Sequence, residues 1–175
     1  MRVSIAQLLL PEFDEEMAAT RRVLERVPWS QYAWQPHPNS MSLGRLATHV
    51  AELPKWALDA FALDEVDIAP LGGPLTRRLV FDSVTNLVQW FAGHAQAARQ
   101  ALAAASDDDF AQPWTLKSGG RALWTKSRLA VYRNAVSHMV HHRGQLTVYL
   151  RLNGVPVPGT YGPSADEREP PSPAA

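Results

Sequence analysis

The feature that most constrains this chain is a hydrophobic rhythm broken by proline and glycine. These residues part it into four long stretches, and in each the apolar residues recur at steps of three and four. A 3.6-residue helix repeat gathers such residues on one face, which must then be buried against another element. In the first stretch, from about Ile5 to Val27, the stripe is Phe13, Met17, Thr20, Leu24 and Val27. Pro11 falls inside this helix or at its first turn and predicts a start or kink there, and Pro28 ends it. The link from Pro28 to Met41 carries Trp29, Trp34, Pro36, His37 and Pro38, and reads as an ordered loop with His37 in a structural role.

Ser42 is a good N-cap for a second helix, whose stripe is Leu43, Leu46, Val50, Leu53, Ala57 and Ala60. Pro54 lies inside it and predicts a bend just past His49. Pro70, Gly72, Gly73 and Pro74 mark a loop. A third helix starts at Asp82 or Ser83 and buries Val84, Leu87, Phe91, Ala95, Ala98 and Leu102. Asp107, Asp108 and Asp109 read as a solvated polar loop, because three consecutive side chains do not converge on a metal. Pro113 to Trp124, with Gly119-Gly120 near its middle, is compatible with a small hairpin. The fourth helix runs from about Ser127 to Leu152 and stops at Asn153-Gly154 with Pro156 beyond. Val155 to Gly162 reads as extended. From Ser164 onward no apolar side chain exceeds proline or alanine, which predicts disorder. The expectation is an all-α chain: an antiparallel four-helix bundle over residues 1–163, a small hairpin before the last helix, and a Pro-rich tail over residues 164–175.

Composition narrows the function. Lys+Arg and Asp+Glu are 17 each, so no chain-wide positive field exists to collect phosphates, and no nucleic-acid partner is expected. The apolar run Val3 to Leu10 is interrupted by Ser4 and Gln7 and is too short to span a bilayer. No membrane partner is expected, and the location read from this is cytoplasmic. Cysteine is absent, which removes disulfides, thiolate metal sites and cysteine nucleophiles together.

The chemistry lies in the histidines. His138 and His142 are spaced i, i+4, which stacks both imidazoles on one side of a helix within reach of a single cation. They form one stripe with Asn134, Gln145 and Tyr149 beside the apolar contacts. The alternative reading of this pair is a solvated helix face. His49, one residue before the inward Val50, is a third candidate ligand; its alternative is a hydrogen-bonded, half-buried histidine. Three neutral imidazoles would leave a divalent ion its full charge and an open position. His94 shares a face with Leu87, Phe91 and Ala98 and is a candidate fourth ligand, whereas His141 is turned toward the other edge of its helix.

Two stretches resemble a known family. His138-Met-Val-His-His142-Arg-Gly-Gln-Leu, continuing through Tyr149-Leu-Arg-Leu-Asn-Gly-Val-Pro-Val-Pro158-Gly-Thr-Tyr-Gly162, is similar to the DinB-like (damage-inducible) metal-binding four-helix bundles, which are distinct from the polymerase of that name. Pro36-His-Pro38 and Met41-Ser-Leu-Gly-Arg-Leu-Ala-Thr-His49-Val-Ala-Glu-Leu match as well, as does the opening Phe13-Asp-Glu-Glu with Thr20, Arg21 and Leu24. The resemblance implies one metal ion, nickel or zinc, held by His49, His138 and His142, and a homodimer. It also implies kinship with thiol transferases that use bacillithiol or mycothiol and with a mycothiol-dependent isomerase.

The leading expectation is therefore a metal-dependent enzyme of the thiol-transferase or hydrolase type. It would activate a low-molecular-weight thiol or a water for attack on a small electrophilic substrate. Asn134 and Gln145 are candidates for outer contacts to the ligands or to substrate, and Glu52 for a base. The alternative is a non-catalytic stress-response protein that binds metal or a small ligand.

Overall fold

A computed structural model of the chain describes residues 3–72 and 79–167. Four long helices lie where the apolar rhythm places them. Helix α1 spans Ile5–Leu24, closed by a capping box in which the Ser4 hydroxyl accepts from the Gln7 N–H and the Gln7 side chain accepts from the Ser4 N–H. It ends one turn earlier than the stripe suggests, although Val27 is still buried. Helix α2 spans Leu43–Ala62 on the Ser42 cap and continues through Pro54. Helix α3 is Val84–Ala104, and α5 is Arg128–Leu152, capped by Ser127. Between them, Asp107–Ala111 forms the short helix α4. The three aspartates expected in a loop are its first turn, because Ser106 caps it and the aspartates meet its positive N-terminal end.

Helix α2 packs between α3 and α5, and α1 packs on α3 and α5. The shared core holds Phe13, Leu24, Leu46, Leu53, Leu87, Phe91, Leu102 and Met139, each essentially removed from solvent. Each such side chain stabilises the fold by about 1.5–3 kcal/mol. Gly44 allows one close approach: a Cβ there would sit 2.2 Å from the Tyr32 ring carbons.

The chain is mainly helical but not all-α. The hairpin is present as β2, Pro113–Ser118, and β3, Arg121–Ser127. Gly119 and Gly120 turn it with φ of 60° and 77°, a backbone that only glycine adopts freely. Glu65–Asp67 adds a third strand, β1, parallel to β2, giving the sheet order β1-β2-β3. The Asp67 carboxylate joins β1 to the hairpin tip by accepting from the backbone N–H groups of Gly120, Ala69 and Gly119 at 2.7, 2.9 and 3.1 Å. Those bonds, Gly120's foremost, hold its carboxyl below the usual range. The fully buried Trp114 donates its indole N–H to the Asp59 carbonyl at 3.0 Å. Arg128 donates to the carbonyls of Ala60 and Phe61 at 3.0 and 2.7 Å. Those carbonyls are orphans of the α2 C-terminus, so the sheet and the start of α5 are fastened to the end of α2.

Arg143 is 2% exposed and crosses from α5 to α1. Its Nη1 donates to the Glu16 carbonyl and to Thr20 Oγ1, both at 3.1 Å, and its Nη2 donates to the Tyr161 hydroxyl at 2.8 Å. Tyr161 in turn donates to Glu16 Oε1 at 2.8 Å. This fastens the extended segment after Gly154 across the helices. The disorder expected from Ser164 falls largely on residues 168–175, which lie outside the described residues, as do Gly73 and Pro74 of the expected loop. Residues 164–167 form a turn in which Asp166 pairs with Arg151 at 2.7 Å. Among the described residues no helix is long and apolar enough to cross a membrane.

Candidate metal centre

Each candidate histidine stands next to a buried anchor. Val50 follows His49 and is fully buried; Met139 follows His138 at 1% exposure, and Arg143 follows His142 at 2%. With α2 against α5, that placement puts all three imidazoles at the edge of one helix interface. The structure brings them together. His138 Nε2 lies 3.3 Å from His49 Nε2 and 2.8 Å from His142 Nε2, and one ligand atom from each ring lies within 4.8 Å of the others. Among the described residues this is the one such cluster of histidine, aspartate and glutamate.

The outer nitrogens explain the orientation. His142 Nδ1 donates to Gln145 Oε1 at 2.7 Å. Glu52 Oε2 lies 3.6 Å from His49 Nδ1 and accepts from the Arg45 guanidinium at 3.3 Å. A neutral imidazole has one proton and one lone pair. Gln145 holds that proton on Nδ1 of His142, and the Glu52 carboxylate near His49 Nδ1 favours the same tautomer by its charge, so the Nε2 lone pairs of both rings face inward. His138 has at most one Nε2 proton to share between them, so the neutral cluster is one donor short. A cation bound between the rings would supply what is missing. Nitrogens about 2.1 Å from a tetrahedral ion sit about 3.4 Å apart, close to the 3.3 Å separation and within a small opening of the 2.8 Å one. The donor set fits a divalent cation with a position to spare.

Electrostatics point the same way. Burial, then the neighbouring rings of His142, His49 and His141, push the His138 imidazole down to about 4. His142 is lowered too, by burial first, with its bond to Gln145 opposing and His49, His141 and Arg45 adding to the drop. At neutral pH both rings are uncharged and keep a lone pair to give. Burial would raise the Glu52 carboxyl, but its contacts with His49 and Arg45 outweigh that and hold it below its ordinary value. It is thus an ionised acceptor for His49.

A cavity of about 450 Å³ opens beside the cluster, sharing His49, Glu52 and Arg45 with it. Its far walls are Trp56, Val66, Ile68, Leu79 and Trp90. The sequence reading misses this cavity, because its walls come from α2, β1, α3 and the chain before α3.

His94 does not join the cluster. Its Nδ1 bonds the Trp90 carbonyl at 3.0 Å, and its ring lies 4.2 Å from that of Trp90. A local i−4 acceptor and a neighbouring aromatic face satisfy it without a metal. His141 is exposed, with its ring 4.9 Å from that of His142. His37 Nδ1 accepts from the Asn39 N–H at 3.1 Å inside its loop. Asn134 is exposed one turn before His138.

A family model described as the DinB superfamily matches residues 12–146, and one described as the DinB family matches residues 125–172. The chain is 53% identical over 32 residues to the uncharacterized protein YrdA of Bacillus subtilis, a match spanning 18% of this chain and 19% of YrdA. Its fold is similar to that of a DinB-like protein from Bacillus cereus, with a TM-score of 0.69 and 22% identity, covering 92% of this chain and all of the other. It is also similar to the DinB-like protein YjoA of B. subtilis, with a TM-score of 0.63 and 18% identity, covering 85% and 96% of the two chains.

Proposed function

This chain belongs to the DinB superfamily, and we propose that it is a metal-dependent enzyme that binds one divalent cation, nickel or zinc, through Nε2 of His49, His138 and His142. Such an ion, when bound, acts as a Lewis acid and favours the deprotonated form of a low-molecular-weight thiol or a water near neutral pH, ready for attack on a small electrophile. The observation that carries the reading is the convergence of three Nε2 atoms, with acceptors facing the outer nitrogens of His49 and His142.

The chain's own residues then divide the work. Glu52 and Gln145 orient His49 and His142 and hold their protons on the outer side. Arg45 keeps Glu52 ionised and thereby keeps it an acceptor. Asn134 offers an exposed amide one turn from His138 for a polar contact with thiol or substrate. Transfer of a thiol to a reactive, stress-derived electrophile is the reaction class we favour. The same proposal takes the four long helices as an antiparallel bundle, the assembly as a homodimer and the location as cytoplasmic.

The test has two stages. Protein purified without chelator is analysed for nickel and zinc, with His49→Ala, His138→Ala and His142→Ala alongside. One ion per chain in the wild type and loss of it in each variant is the expected result; full metal in all three variants overturns the ligand assignment. Metal-loaded protein is then assayed with a panel of low-molecular-weight thiols, and without thiol, against a panel of electrophiles. Stoichiometric metal with no turnover in any combination would favour the non-catalytic stress-response reading instead.

A further inference from the structure

The cavity beside the ring cluster has a chemical character of its own. Its charged lining residues are already engaged within the wall or by nearby backbone. Arg45 pairs with Glu52 at 3.3 Å and Lys55 with Asp59 at 2.5 Å, while Asp67 is saturated by three backbone N–H groups. Among the described lining residues no cation is left unpaired for an anionic ligand, which would lose its hydration without a free counter-charge. What remains is an apolar lining of Trp56, Val66, Ile68, Leu79 and Trp90. The Trp90 ring is held in place by His94 at 4.2 Å and by Phe81 at 6.0 Å. Rigid indole surfaces favour flat aromatic partners. A volume near 450 Å³ with mostly apolar walls is of the size that takes a small organic molecule.

We propose that this cavity binds a neutral, flat aromatic molecule and presents it to the edge of the histidine cluster through the shared wall of His49 and Glu52. This names the class of electrophile for the enzyme proposed above and rests on that reading for its catalytic meaning, but the binding itself needs no metal.

The probe is 2-naphthol, titrated calorimetrically into the full chain, with 2-naphthoate as the charged counterpart. The expected result is one site with a Kd below about 1 mM for the naphthol and at least about tenfold weaker binding of the naphthoate. Trp56→Ala and Val66→Arg, each checked for native far-UV dichroism, should weaken the naphthol by about tenfold or more. His138→Ala/His142→Ala alters two rings that do not line the cavity, and should lose metal yet keep the naphthol affinity. Absence of saturable binding, a naphthoate that binds as well as the naphthol, or full affinity in a folded Val66→Arg overturns the proposal. Because metal content and naphthol binding are read separately, a wild type that lacks metal but binds the naphthol sinks only the enzyme reading, and the reverse result sinks only this one.

Discussion

Replacing Arg143 by methionine should be strongly destabilising. Methionine keeps much of the apolar stem and removes the charge. In the native fold the guanidinium is 2% exposed and donates to the Glu16 carbonyl, Thr20 and Tyr161. Glu16 Oε2 also lies 2.6 Å from Nη1, but without hydrogen-bond geometry, so this approach is a coulombic attraction between two buried charges. Without Arg143 the Glu16 carboxylate, 8% exposed, keeps only the Tyr161 hydroxyl. Leaving one member of a buried pair uncompensated costs about 3–5 kcal/mol. In a chain of this size each kcal/mol lowers the melting temperature by about 2–4 °C, so a drop of about 6–20 °C is expected. Urea denaturation should show the midpoint falling with an unchanged slope. Adding Glu16→Gln removes the stranded charge, so the double variant should recover at least about 1 kcal/mol over Arg143→Met. A loss below about 1 kcal/mol in Arg143→Met, or a double variant as unstable as the two single losses added, would refute the reasoning.

Three further outcomes can be checked. Glu52→Gln and Gln145→Ala should each weaken metal affinity by about 10–100-fold with the fold intact, measured by competition with a chromogenic chelator; unchanged affinity in both would remove their orienting role. In metal-stripped protein His138 and His142 stay neutral below the pH at which the unfolded chain protonates them. The unfolded state then binds more protons, so stability should fall as pH drops from about 6.5 toward about 4. His138→Ala should flatten part of that slope, and a melting temperature with the same pH profile in both proteins would count against it. Gly44→Ala would press a methyl against Tyr32, where 2.2 Å is available, and should cost about 1–3 kcal/mol in denaturant titrations.

The elements that could be read from the residues alone are those whose cause is local. Steps of three and four define α1, α2, α3 and α5 because one helix face repeats within a few residues. Ser42 caps α2 by accepting from the Arg45 N–H three residues on, and Gly119-Gly120 turns the hairpin because only glycine takes that φ easily. His138 and His142 share a face by spacing alone. Other features depend on partners distant in the chain. Strand β1 is three residues long, too short for its alternation to stand out, and it exists because β2, some fifty residues later, offers it a free edge. Arg143 looks like a surface residue of a polar helix until Glu16, Thr20 and Tyr161 close around it. His94 was compatible with turning inward, but Trp90 supplies both an acceptor and a stacking face, and the ring stays there. The sequence by itself determined which residues offer lone pairs and which helices carry them, since spacing along a helix is intrinsic to the chain. Only the tertiary structure decided that Glu52 and Gln145 turn those lone pairs inward and that an apolar cavity opens beside them, because side-chain direction and empty volume arise where separate elements meet.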